Sequence, residues 1–115
     1  MERILVIDDD KAIRYFVSEY LIEAGYEVKE AEDGEEGIEI LKQDHEFKVV
    51  ITDIRMPNKD GNEVAKYVLN SSELKDIPVV AITGYADEAD KELFTHLFEK
   101  PFRMKDLLAV IRSFQ

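Results

Sequence analysis

Lys48-Val49-Val50-Ile51-Thr52-Asp53 is the stretch that decides the fold. Val49, Val50 and Ile51 follow one another without a polar alternation, so a strand here is apolar on both faces and must be covered on both. Such strands belong to parallel sheets clothed by helices, and the flanking sequence supplies the remaining parts. Arg3-Ile4-Leu5-Val6-Ile7 is a second short apolar run, and it ends in acids. Ile77-Pro78-Val79-Val80-Ala81-Ile82 is a third, with Pro78 at its start, where a missing N–H is tolerated. Glu27-Val28-Lys29-Glu30-Ala31 alternates weakly and reads as an edge strand, and His96-Leu97-Phe98-Glu99 reads as the last strand.

Helical spacing fills the gaps. Ala12, Ile13, Phe16, Val17, Tyr20, Leu21 and Ala24 form one apolar stripe that Gly25 stops. Asp33-Gly34-Glu35-Glu36 predicts a capping box, with Ile38 and Leu41 behind it turned to the core. Met56-Pro57-Asn58-Lys59-Asp60-Gly61 is a loop of turn formers, and Val64, Ala65, Val68 and Leu69 mark a third helix. Residues 87–94 predict a short helix, and Leu107, Leu108, Val110, Ile111 and Phe114 a final amphipathic one. The pattern is βα repeated five times. It predicts an α/β doubly wound five-stranded parallel sheet with helices on both faces. Strand order 2-1-3-4-5 fits because it puts the weak second strand at an edge.

The chain has 115 residues, enough for one domain over positions 1–115. It has no cysteine, which excludes disulfides and thiolate metal sites. Met1-Glu2-Arg3 leads into an apolar stretch too short for a signal peptide, and no run is long enough to span a bilayer. The expected location is the cytoplasm. A formal net charge of −11 disfavours direct nucleic-acid binding and anionic membranes. Most of the acids serve solubility; a few are placed more specifically.

Open α/β sheets bind ligands at the carboxyl ends of their strands, beside the point where strand order reverses. The first strand ends in Asp8-Asp9-Asp10, the third in Asp53, the fourth in Thr83-Gly84 and the fifth in Glu99-Lys100-Pro101. The topology therefore brings carboxylates, a hydroxyl and an ammonium to one edge. Clustered carboxylates repel unless a cation relieves them. Oxygen donors without His or Cys suit a hard ion, Mg²⁺ or Mn²⁺. Mg²⁺ is commonly held by one or two carboxylates plus a phosphate. Lys100 and Thr83 can then meet phosphoryl oxygens, and a carboxylate that attacks phosphorus gives an acyl phosphate. Taken singly, each has a plainer role: an acidic helix start, a turn residue, a cap, a solvated charge. Their convergence is what points to chemistry.

These residues resemble the response-regulator receiver family of two-component signalling, the chemotaxis-regulator-like superfamily. Ile7-Asp8-Asp9-Asp10, Thr52-Asp53-Ile54-Arg55-Met56-Pro57 with Asp60-Gly61, Ile82-Thr83-Gly84 and Lys100-Pro101-Phe102 stand in the family's order across the whole chain. The resemblance implies Asp53 as phosphoacceptor, with Asp8, Asp9, Asp53 and the backbone carbonyl of Arg55 on the metal ion. It implies Thr83 and Lys100 on the phosphoryl group and a cis bond before Pro101. The donor would be the phosphohistidine of a sensor histidine kinase or histidine phosphotransfer protein. The domain would be regulatory, catalysing only its own phosphorylation and dephosphorylation. It would switch conformation to control a downstream protein or a fused output domain, as a monomer or a phosphorylation-dependent homodimer.

Two features depart from that pattern. Thr83 to Lys100 is short by about five residues, more than one helical turn, so the fourth helix is expected to be shortened, displaced or absent. The switch position three before the lysine, where an aromatic is usual, is Leu97; the adjacent Phe98 would face the other way. His45 is expected to be solvated and His96 to start a strand, neither acting as phosphodonor. Arg55 and Tyr85 flank the site and can tune water access.

Other readings compete. Asp8-Asp9-Asp10 contains the Asp-x-Asp of haloacid-dehalogenase-like phosphatases, but Ala12 stands where those have Thr or Val. A flavodoxin-like binder would want a Ser/Thr/Gly-rich loop where three acids stand. The alternative that keeps the fold is a receiver-like interaction domain that is never phosphorylated.

Overall fold

The computed structural model describes residues 1–114. Five parallel strands, β1 (Arg3–Ile7), β2 (Glu27–Ala31), β3 (Val49–Thr52), β4 (Val79–Thr83) and β5 (His96–Glu99), lie in the order β2-β1-β3-β4-β5. Three helices join β1 to β4 in turn, α1 (Lys11–Glu23), α2 (Gly34–Gln43) and α3 (Gly61–Leu69), and a fourth, α4 (Met104–Ser113), follows β5. β1, β3 and β4 are buried on both faces, which is why their sequence shows no alternation. Ile4, Val6, Val49, Ile51, Val80 and Ile82 meet Val17 and Leu21 of α1 and Leu107 and Ile111 of α4. Leu5, Ile7, Val50 and Val79 meet Ile38 and Leu41 of α2 and Val64 and Val68 of α3. Each such side chain contributes about 1.5–3 kcal/mol on leaving water.

The register positions the site. Ile7 pairs with Thr52, so β1 and β3 end at one level. The Asp53 amide donates to the Ile7 carbonyl at 3.0 Å, which seats Asp53 beside Asp8 where strand order reverses.

Local chemistry sets the helix limits. Asp10 caps α1 by accepting from the amides of Ala12 (3.0 Å) and Ile13 (3.1 Å). Gly25, at φ 101°, ends α1 with Tyr26 N–H on the Leu21 carbonyl and its own N–H on that of Ile22. α3 has a complete capping box between Asp60 and Glu63. It begins at Gly61 because a Cβ there would run into the Asp53 carbonyl oxygen.

Several expectations are corrected. The box at Asp33 is half-formed: Asp33 accepts from Glu36 N–H, but Glu36 reaches past it to the Glu32 amide at 2.7 Å. The stripe on α1 is wider than its buried face, leaving Ala12 exposed and Phe16 58% exposed. Leu69, in the last turn of α3, is also exposed. No α-helix forms over 87–94. Two single 3₁₀ turns, Ala86–Glu88 and Lys91–Leu93, stand there instead, because the Asp90 amide donates to the Asn62 side chain rather than back along a helix. His45 is half-buried, with Nδ1 3.0 Å from a Glu73 carboxylate oxygen, so it is not simply solvated.

Candidate functional site

Three strand ends build the site. One carboxylate oxygen from each of Asp8, Asp9 and Asp53 lies within 4.8 Å of the others. Asp8 is fully buried, Asp53 nearly so, and Asp9 opens to solvent. Asp8 Oδ1 accepts from the Asp10 amide at 2.9 Å, and Asp53 Oδ1 from the Ile54 amide at 2.7 Å. Their second oxygens share one ammonium: Lys100 Nζ stands 3.0 Å from Asp53 Oδ2 and 3.4 Å from Asp8 Oδ2. Lys100 is aimed by β5, its amide donating to the Thr83 carbonyl at 2.8 Å. The bond to Pro101 is cis.

Three carboxylates thus gather around one ammonium. Burial, opposed by the Asp10 amide and Lys100 and reinforced by Asp53, pushes the Asp8 carboxyl up to about 6. Burial pulls the Lys100 ammonium down, but its hydrogen bond to Asp53 and the fields of Asp8 and Asp53 outweigh that and leave it above the ordinary lysine value. An all-oxygen donor set with excess negative charge fits a hard divalent cation.

Thr83 is buried at the end of β4, and its hydroxyl oxygen accepts from the Tyr85 amide at 3.0 Å rather than touching the carboxylates. Arg55 turns its side chain away from the acids. Its guanidinium forks onto the Glu88 carboxylate and lies 3.7 Å over the Tyr85 ring. Leu97 is half-buried on β5, one residue from Phe98, which packs on the opposite face against Phe102 at 5.9 Å between ring centroids. The structure therefore brings Asp8, Asp9, Asp53 and Lys100 together, and leaves Thr83 and the Arg55 side chain engaged elsewhere.

Two residues at this edge were not singled out from sequence. Asn62 donates to the Glu88 carbonyl at 2.9 Å and accepts from the Asp90 amide at 2.8 Å, tying α3 to the 3₁₀ turns. Arg14 donates to the Asp8 carbonyl at 2.7 Å. In sequence both read as polar positions of a helix start; the only signal for Arg14 was its place one turn after the cap Asp10.

Comparison with known proteins agrees with this geometry. Residues 4–112 match the response regulator receiver domain. A probable transcriptional regulator ycf27 of Porphyridium aerugineum is 38% identical over 97% of this chain and 47% of its own length. The chemotaxis protein CheY1 of Helicobacter pylori is 35% identical over 95% of both chains. The response regulator TrrA of Thermotoga maritima, solved in complex with Mg(2+)-BeF, superposes with a TM-score of 0.88 at 32% identity, covering 98% of each chain. The chain belongs to the response regulator receiver family of two-component systems. It spans about half the length of the first curated relatives it matches. Among the described residues, no helix is long and apolar enough to cross a membrane.

Proposed function

We propose that this protein is one receiver domain over residues 1–115 that accepts a phosphoryl group on Asp53 in a reaction dependent on Mg²⁺ or Mn²⁺. The observation that carries the reading is the convergence of three carboxylate oxygens within 4.8 Å, with Lys100 Nζ 3.0 Å from Asp53 Oδ2. Asp8, Asp9, Asp53 and the Arg55 carbonyl would hold the ion, which when bound offsets negative charge on the transferring group. The Asp53 carboxylate attacks phosphorus, the N–P bond of a phosphohistidine breaks, and the imidazole of a sensor kinase or phosphotransfer protein leaves. Lys100, already at the Asp53 oxygen, neutralises a phosphoryl oxygen, and the Thr83 hydroxyl turns from the Tyr85 amide to meet another. Hydrolysis of the acyl phosphate resets the domain. The Mg(2+)-BeF complex of TrrA supports pairing a divalent ion with a phosphoryl-like group in this fold. Output passes by protein contact, to a separate target or to a fused domain. Relatives of both lengths support the two forms, CheY1 being matched along 95% of its length and the ycf27 regulator along 47%.

The test is intact mass after brief incubation with acetyl phosphate and Mg²⁺. One added phosphoryl group is expected on the wild type, none on Asp53→Asn, and none when Mg²⁺ is chelated beforehand. An unmodified wild type, under conditions that slow acyl-phosphate hydrolysis, would move the assignment to a receiver-like interaction domain that is not phosphorylated.

A further inference from the structure

Arg14 lies one turn into α1, and its side chain is only 11% exposed, low for a guanidinium. Its donors are divided between two partners. Nε donates to Glu30 Oε1 on β2 at 2.9 Å, and Nη1 to the Asp8 carbonyl oxygen at 2.7 Å. The Asp8 amide, for its part, donates to the Ala31 carbonyl at 3.2 Å. Asp8 is thus held at both ends of its backbone, by β2 directly at its N–H and by β2 through Arg14 at its C=O. That carbonyl belongs to the peptide that carries the chain from Asp8 to Asp9. Its direction sets how the chain leaves β1 and where the two side chains point. Asp9 is exposed and takes its direction from that peptide.

We propose that Arg14 is a positioning residue for the divalent-ion site: by clamping the Asp8 carbonyl to Glu30 of β2, it aims the Asp8 and Asp9 carboxylates at one point. The inference rests on the ion-site reading given above. Arg14 touches neither the ion nor the phosphoryl group.

Charge and geometry predict opposite signs here, which makes the idea testable. A guanidinium beside an acidic site repels an incoming cation, so removing it should tighten Mg²⁺ binding if charge were its only influence. Loss of an outer-sphere orienting contact instead weakens metal affinity, typically 10–100-fold. Arg14→Gln removes the charge and the fork. Arg14→Lys keeps the charge but replaces the planar fork, whose Nε and Nη1 meet Glu30 and the Asp8 carbonyl in fixed directions, with one compact ammonium on a flexible stem that does not hold that geometry.

Mg²⁺ affinity would be measured by titration calorimetry and by the rise in melting temperature with Mg²⁺ for the wild type and both variants. Phosphorylation by acetyl phosphate would be followed at limiting and saturating Mg²⁺. We expect Mg²⁺ dissociation constants about ten-fold higher in both variants. Their phosphorylation rates should fall at limiting Mg²⁺ and recover at saturation, which a general loss of structure would not produce. Unchanged or tighter Mg²⁺ binding in Arg14→Gln, or wild-type affinity in Arg14→Lys, would overturn the positioning role while leaving the ion site intact. No Mg²⁺ binding by the wild type would instead overturn the ion-site reading, and this inference with it.

Discussion

The corner around Asp53 and the segment between β4 and β5 lie at the same edge of the sheet, yet they are held by different means. At the corner the ties are backbone bonds between strand ends: Asp53 to Ile7, Asp8 to Ala31, Lys100 to Thr83. Beneath them stand Ile51, Ile7 and Ile82, all fully buried. The segment has no buried residue in either 3₁₀ turn and no side-chain cap at either start. Its hydrogen bonds to the rest of the edge run through polar side chains, Arg55 to Glu88 and Asn62 to both Glu88 and Asp90, while the half-buried Leu93 and Phe94 at its far end pack against the core. An exposed ion pair contributes about 0–1 kcal/mol, less than one buried apolar side chain. The corner is therefore fixed by the core, and the first turn of the segment, Ala86–Glu88, by contacts that a small change in charge can undo. The switch proposed above would use both properties: a reaction site held still beside a turn that is held lightly.

The largest expected effect comes from undermining the corner. Ile51→Ala, beneath Asp53, should lower unfolding free energy by about 2–5 kcal/mol, measured by urea denaturation. A loss below about 1 kcal/mol would mean the corner does not depend on its core, and the contrast with the segment would collapse.

Next in size is the charge held at the corner. The folded-state acidity of Asp8, about 6, lies above its ordinary value of 3.8, so the folded state binds the proton more tightly than the unfolded one. Without a metal ion, this group should favour the folded state at low pH and lose that advantage as pH rises between about 4 and 6. Asp8→Asn removes the titration. It should stabilise the metal-free protein at neutral pH by an amount on the order of 2 kcal/mol, flatten that part of the pH profile, and abolish stabilisation by Mg²⁺. Melting curves from pH 4 to 8, with and without Mg²⁺, decide it. A variant less stable than the wild type at neutral pH without metal would mean that Lys100 already satisfies the charge.

What could be read from sequence divides along the same line. Strands whose residues are all apolar, such as Val49-Val50-Ile51, announce burial on both faces, and the weak Glu27–Ala31 run announces an edge, so sheet order followed. The acids at Asp8, Asp9 and Asp53 and the ammonium at Lys100 converge because strand ends in one register must converge. Residues 87–94 misled because helical spacing was read where the deciding partner lay elsewhere in the chain: the Asn62 side chain takes the Asp90 amide. His45 misled, and Arg14 went unnoticed, for a related reason. Their partners, Glu73 on one side and Glu30 with the Asp8 carbonyl on the other, are remote in sequence or belong to the backbone, and periodicity does not register such pairs.

The smallest effect on stability should carry the most information about the switch. Glu88→Gln removes the carboxylate onto which Arg55 forks but leaves the Asn62 bridge and the stacking of Arg55 on Tyr85. Because the pair is exposed, unfolding free energy should change by less than about 1 kcal/mol. Amide exchange over Tyr85–Phe94 should nonetheless accelerate, while exchange in β1 and β3 stays unchanged. Wild type with Mg²⁺ and a phosphoryl analogue should accelerate over the same residues, because the Thr83 hydroxyl that now accepts from the Tyr85 amide would be drawn toward Asp53. If the analogue leaves exchange in the segment unchanged while Glu88→Gln accelerates it, the segment is loosely held but is not coupled to the site. If both leave it unchanged, the Arg55–Glu88 pair is not what restrains the segment, and the Asn62 bridge becomes the contact to break.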